Sequence, residues 1–219
     1  MRKILKIILS LGCIVVLTVF SCSSDDGSDV ENLEKEFQIY LNSSLYKGDG
    51  VIRAEVWDNE NRKYDYLNIG DVKNGIGTLN FPDAISAKYY HTLRAEFDNS
   101  VSISPTTAKG TSLIFFYVIS GKDAYFLKAE NADETEFIEY RHLAQETTVS
   151  GQQSDWGITV QFNINASEGW NAFYVSCTKN FSTCKASENS NSVNLRGIKW
   201  IMEYEGNSSD YGGEASEDN

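Results

Sequence analysis

The chain has 219 residues, 19 basic against 31 acidic, and only two histidines, His91 and His142. A net charge of −12 excludes a nucleic-acid binder, which needs clustered Lys and Arg to displace counterions from phosphates, and it offers no electrostatic grip on anionic lipid. Two histidines exclude a multi-histidine metal centre, and no metal or cofactor is expected.

The N-terminus reads as an export signal. Met1-Arg2-Lys3-Ile4-Leu5-Lys6 is basic, and Ile7 to Phe20 is a mostly apolar run of fourteen residues. That length suits a signal-peptide core and is too short for a spanning helix. Val19-Phe20-Ser21-Cys22 resembles the lipobox of bacterial lipoproteins, with an aliphatic residue three before the Cys and a small residue immediately before it. Phe20 stands where that family usually has a small residue. The resemblance implies cleavage after residue 21, acylation of Cys22 with palmitate-type chains, and attachment to the membrane through that anchor. Two or more acyl chains make such attachment stable. Cys13 is the rival, but an apolar stretch follows it, so cleavage there would leave an apolar N-terminus. Ser24-Asp25-Asp26 resembles the acidic export signal of surface lipoproteins in Bacteroidota-type bacteria, which implies the outer membrane and a surface-exposed protein.

Four segments follow: a signal at 1–21, an acidic tether at 22–36, a folded body at 37–204 and an acidic tail at 205–219. The tether holds six acids and one base, and the tail five acids and no base. Low hydrophobicity with high charge predicts disorder in both. The body is left with a formal charge of only −5, so the acidity says little about a ligand. After export Cys177 and Cys184 stand in an oxidising compartment. Their six-residue gap is not that of a redox CxxC pair, and a disulfide closing a hairpin is expected.

Within the body, period-two alternation marks half-buried antiparallel strands. Phe37-Ile39-Leu41, Ile52-Ala54-Val56, Leu93-Ala95-Phe97, Trp156-Ile158-Val160-Phe162-Ile164 and Ile198-Trp200-Met202-Tyr204 each alternate with largely polar residues. Leu113 to Ile119 is continuously apolar and fits a central strand, and Ala84 to Tyr90 fits a short helical turn. Turns fall at Lys47-Gly48-Asp49-Gly50, Asp58-Asn59-Glu60-Asn61, Lys73-Asn74-Gly75 and Gly121-Lys122-Asp123. The pattern predicts an all-β antiparallel sandwich of about ten strands, with a closed, lipocalin-like barrel as the alternative. Ile52-Arg53-Ala54-Glu55-Val56 echoes Leu93-Arg94-Ala95-Glu96-Phe97, which two strands of like alternation explain without duplication. Val149-Ser150-Gly151, Gly169-Trp170-Asn171 and Ile198-Lys199-Trp200 together resemble small Bacteroidota-type lipoproteins of unknown function. That resemblance implies an all-β lipoprotein and brings no catalytic residue with it.

Chemistry leaves few marks. No nucleophile elbow, zinc signature, phosphate loop or dinucleotide fingerprint is present, and neither histidine has a motif around it, so no catalytic residue is assigned. Asp58-Asn59-Glu60-Asn61 and Glu130-Asn131-Ala132-Asp133-Glu134 carry oxygen donors but miss the EF-hand pattern, and read as solvated loops. Acids are numerous enough for a glycosidase-type pair, with nothing to single one out. The suggestive surplus is aromatic. Trp57 shares the Arg53 and Glu55 side of its strand, and Tyr64 and Tyr66 share a face of the next. These five residues are the candidate binding face for a glycan or an envelope protein. The expectation is a lipid-anchored, non-enzymatic binding module, with a glycan hydrolase or a structural adhesion subunit as alternatives.

Overall fold

The computed structural model describes residues 36–188 and 198–211. The signal, Cys13, Cys22, the tether up to residue 35 and the last eight residues of the tail lie outside the described residues.

The chain is all-β. Its strands are β1 (Glu36–Leu41), β2 (Ser44–Leu45), β3 (Gly50–Asp58), β4 (Lys63–Lys73), β5 (Ile76–Leu79), β6 (His91–Thr92), β7 (Val101–Ser104), β8 (Lys109–Gly110), β9 (Phe115–Ser120), β10 (Asp123–Glu130), β11 (Glu136–Leu143), β12 (Thr147–Asp155), β13 (Ile158–Ala166), β14 (Gly169–Cys177), β15 (Thr183–Glu188) and β16 (Lys199–Asn207). Strands β16-β1-β5-β4-β3-β9-β10 pair in order, and β10 pairs back onto β16, closing a seven-stranded barrel. The barrel alternative is therefore the arrangement formed, with extra strands attached. Closure depends on a parallel contact, Ile39 opposite Trp200 and Leu41 opposite Met202, between the first and last long strands. From β10 six further strands extend as a second sheet, β11-β14-β15-β13-β12-β7, while short β2 pairs with β1 and short β8 pairs with β6 and β11. The junction is thin: β10 meets β11 only at Ala129–Ile138 and Glu130–Phe137.

Each part has its own core. The barrel core combines aliphatic side chains, Ile39, Ile52, Ile69 and Val118 among them, with an aromatic cluster in which Phe37 stacks on Trp200 at 4.1 Å and Phe116 packs against Tyr140 of β11 at 4.7 Å. Phe81 from the loop after β5 stacks on Trp170 at 4.5 Å, and the Trp170 indole donates to the Pro82 carbonyl at 2.8 Å. That loop thereby plugs one side of the barrel. The second core is mainly aliphatic, with Leu93, Val101, Ile103, Val149, Val160 and Ile164 among its buried residues. Cys177 and Cys184 face each other across β14 and β15 and form the expected disulfide, with Cys184 fully buried in this core.

Most strand expectations hold. Asn74 and Gly75 both take positive φ, 50° and 78°, the geometry of a two-residue hairpin turn. The short helical turn forms as a 3-10 turn, Ala87–Tyr89. Three readings are corrected. Leu93–Glu96 is a 3-10 turn rather than a strand. The Arg94 guanidinium bonds the carbonyls of Phe97, Asp98 and Val101, and Glu96 pairs with Arg141. Such side-chain bonds hold the backbone in a turn that strand pairing would undo. Trp156 lies at the tip of the β12–β13 hairpin and not in β13. The boundary at 205 is also too early, because β16 runs to Asn207 and a 3-10 turn, Ser208–Tyr211, follows it. Tyr211 folds back as an aromatic contact, which the acid-rich composition conceals.

Candidate functional site

Strands β3, β4 and β9 present one face outside the barrel. The hairpin register sets Trp57 opposite Tyr64, Glu55 opposite Tyr66 and Arg53 opposite Asn68, with a bulge between Ile52 and Arg53. Inward residues Ile52, Ala54 and Val56 are buried while Arg53, Glu55 and Trp57 are part-exposed, so the alternation sorts all five candidates onto the outer face. The structure brings them together and adds Asn68 and Tyr117.

This face has a covered half and an open half. In the covered half Tyr211 packs against Tyr117 at 4.6 Å and Tyr66 at 6.2 Å. The Tyr66 hydroxyl donates to Glu55 Oε2 at 3.1 Å, and the Arg53 guanidinium approaches the Tyr211 carbonyl at 3.5 Å. Burial, reinforced by the Glu55 carboxylate, raises the Tyr66 and Tyr117 phenols well above their ordinary range, so both stay neutral donors. In the open half Trp57 meets Tyr64 edge-to-face at 5.0 Å, and Tyr64 is 52% exposed.

A groove of about 730 Å³ opens beside Tyr64. One wall is β4 with Arg53 behind it, and the other is the loop from Pro82 to Tyr89. Strand β5 covers β4 only from Gly70 onward. Among the described residues no strand pairs with that edge of β4 between 63 and 68. The loop is pinned by Lys88, which pairs with Asp58 at 2.8 Å and Asp65 at 2.5 Å. Asp58 is further engaged by the Asn61 side chain and by the backbone N–H groups of Glu60 and Asn61. These contacts, Asn61 first and Lys88 second, hold its carboxyl well below the ordinary range. Asp58, fully buried at the head of the Asp58–Asn61 turn, thus anchors the groove wall through its ion pair with Lys88, a role the loop composition does not reveal. Arg53 Nε donates to Asn68 Oδ1 at 3.1 Å. Trp57 buttresses Tyr64 and is not itself a wall of the groove.

The histidines occupy structural positions. His142 is buried, its Nδ1 lies 2.9 Å from the Tyr90 hydroxyl, and its ring meets Trp170 edge-to-face. Burial lowers its pKa, so the ring is neutral. His91 Nε2 contacts Glu96 Oε1, and Arg141 grips both Glu96 oxygens at 2.8 and 2.6 Å. Burial opposes ionisation of Glu96, but Arg141 and His91 outweigh it and hold the carboxyl at about 2. Glu139, on the same face of β11 as Arg141, is pushed up by burial to about 7. Two carboxyls with such divergent acidities are the pattern of an acid–base pair. Glu139, however, lines cavities of only about 50 Å³ each, room for a few water molecules rather than a sugar ring.

No protein-family model, no curated protein and no solved structure matches the chain.

Proposed function

We propose that the protein is a lipid-anchored, non-enzymatic binding module of the cell envelope, and that the β4 groove holds a neutral glycan. The observation that supports this most is the groove itself, open and polar, with the exposed Tyr64 ring at its rim and the Arg53–Asn68 pair in its wall. An exposed aromatic face with planar polar groups beside it supplies stacking and directional hydrogen bonds together. Lys63 pairs with Asp65 at 3.0 Å and Lys88 is held by two aspartates, so among the described residues the positive charge facing the groove is that of Arg53 alone, which suits a neutral ligand's hydroxyls better than a strongly anionic ligand. A neutral glycan array, probed with the protein lacking residues 1–22, tests the reading. Tyr64→Ala should weaken binding about thirtyfold, the effect of losing roughly 2 kcal/mol from an aromatic anchor, and Trp57→Ala should weaken it less. Equal binding by wild type and Tyr64→Ala would reject the groove as the site.

A second reading has one observation of its own. The edge of β4 beside the groove fits an extended peptide added as another strand, which would make the protein an assembly subunit. Capture of a peptide that survives Tyr64→Ala and competes with no glycan would favour it.

The anchor rests on the sequence. The exported protein should begin at an acylated Cys22, and intact mass spectrometry that finds a mature N-terminus at any other residue would refute it.

A further inference from the structure

The outer face of the barrel does not end where the groove ends. The register sets Asn68, Arg53 and Tyr117 side by side across β4, β3 and β9, a row about 10 Å long at two strand spacings. Arg53, Tyr66 and Asn68 line the groove, and Arg53 and Tyr66 also border the half that Tyr211 covers. Tyr117 lies under that cover, its ring 6.3 Å from Tyr66 and 5.7 Å from Phe126. One strip of rings and polar groups therefore runs from Tyr64 to Tyr117, and the chain's own Tyr211 sits on one end of it.

The cover is a short strap. Strand β16 ends at Asn207, and Ser208–Tyr211 turns back as a 3-10 turn. Its root is firm, because Ser208 is buried and its N–H donates to the Lys122 carbonyl at 2.8 Å. Its tip is held by longer bonds. The Tyr66 hydroxyl donates to the Asp210 carbonyl at 3.3 Å, and the Arg53 guanidinium approaches the Tyr211 carbonyl at 3.5 Å, at the weak end of the hydrogen-bond range. Ser209 and Asp210 are exposed. The Tyr211 ring lies over Tyr117 at 4.6 Å with the planes 37° apart. A sugar ring uses the same two resources, an aromatic face to lie on and donors for its hydroxyl oxygens. With one ring and two carbonyls, the strap fills a place whose chemistry continues that of the groove.

We propose that Tyr117, Tyr66 and Arg53 form a second subsite of the groove for the further rings of a neutral oligosaccharide, and that Ser208–Tyr211 is a displaceable strap occupying it until such a ligand arrives. This rests on the glycan reading of the β4 groove and adds a length preference to it. A short ligand fits the groove with the strap in place. A longer one must move Tyr211, and its affinity falls by the fraction of chains whose strap is open. Tyr211 is then the residue that sets the preferred ligand length.

The test uses the mature full-length chain and an array of neutral homo-oligosaccharides, each present as its disaccharide and its hexasaccharide, with titration of those that bind. Tyr211→Ser should tighten hexasaccharide binding roughly tenfold, the effect of releasing one aromatic contact, and leave disaccharide affinity unchanged. Adding Tyr117→Leu, which keeps the bulk and removes the ring face, should cancel that gain. If Tyr211→Ser fails to fold, a chain ending at Asn207 makes the same comparison. Where Tyr64→Ala weakens binding but Tyr211→Ser leaves the hexasaccharide affinity unchanged, the groove stands and the strap falls. A gain that Tyr117→Leu does not cancel also overturns the second subsite. Equal binding by wild type and Tyr64→Ala at both lengths, or no glycan bound by any of the chains, rejects the groove and the strap together.

Discussion

The barrel and the second sheet solve the same problem differently. The barrel is closed, so its interior holds apolar side chains and its ion pairs sit at the ends and on the outside, as Asp58–Lys88–Asp65 and Lys128–Glu130–Glu203 do. The second sheet ends at β7, and its interior is covered by the segment from His91 to Gly110. There Leu93 and Phe97 pack downward, Phe97 meeting Phe162 at 4.8 Å, while Glu96 reaches across to Arg141. A core sealed by its own hydrogen-bond ladder can be wholly apolar. A core sealed by a loop uses an ion pair to hold the cover, and beside that pair it keeps Glu139.

The strongest challenge to this comparison is Arg141→Met, which keeps the bulk and removes the charge. It leaves Glu96 sheltered without its principal partner and Glu139 without the one cation on its own face. Breaking a buried pair from one side costs about 3–5 kcal/mol, and the partial exposure of this one places it at the lower end, about 3 kcal/mol, in chemical denaturation. The pH profile separates the two acids. Glu96 is depressed from 4.5 to about 2, so it contributes stability that is present above pH 4.5 and lost as pH falls through 2. Glu139 is raised from 4.5 to about 7, so its contribution is present below pH 4.5 and lost as pH rises through 7. In Arg141→Met the acid limb should flatten and the loss on the alkaline side should grow. An unchanged profile would mean that the cover is held by apolar packing alone.

The barrel's outer face offers a smaller test. A chain ending at Asn207, compared with one ending at Tyr211, loses the Tyr211 ring from Tyr117 and Tyr66, the Ser208 N–H bond to the Lys122 carbonyl at 2.8 Å, and the Tyr66 bond to the Asp210 carbonyl at 3.3 Å. The expected cost is about 2 kcal/mol, from two partly exposed aromatic contacts and one or two net hydrogen bonds. Equal melting temperatures would show that the turn adds nothing to the barrel.

How much of this was legible in the sequence follows from what alternation encodes. Period two reports which side of a strand is buried, so β1, β3, β13 and β16 as far as Met202 could be read, although Tyr204, assigned to the same side, is exposed, and with them the shared face of Arg53, Glu55, Trp57, Tyr64 and Tyr66. Alternation does not report partners. The parallel β1–β16 contact joins opposite ends of the chain, and nothing local in either strand announces a closed ring. The groove was hidden for the same reason, because Asn68 follows a bulged register and the Pro82–Tyr89 wall has no period. Glu139 and Arg141 did leave a signal. They share the parity of Phe137 and Leu143, and charges on the apolar side of a strand are a reason to look for a site.

Trp156 gives the smallest effect and the opposite sign. Trp156 and Gly157 both take positive φ, 50° and 79°, the two-residue turn that favours Asn-Gly. Left-handed backbone costs an ordinary side chain roughly 1–2 kcal/mol, Asn tolerates it better, and Trp156 is 82% exposed, so its indole returns little through burial. Trp156→Asn should therefore stabilise the protein by about 0.5–1 kcal/mol, read as a rise in the denaturation midpoint at constant slope. The change acts on the second sheet alone and should leave glycan binding at the β4 groove untouched. A loss of stability would show that the indole packs on the protein, and that this hairpin is held by its tip as well as by its ladder.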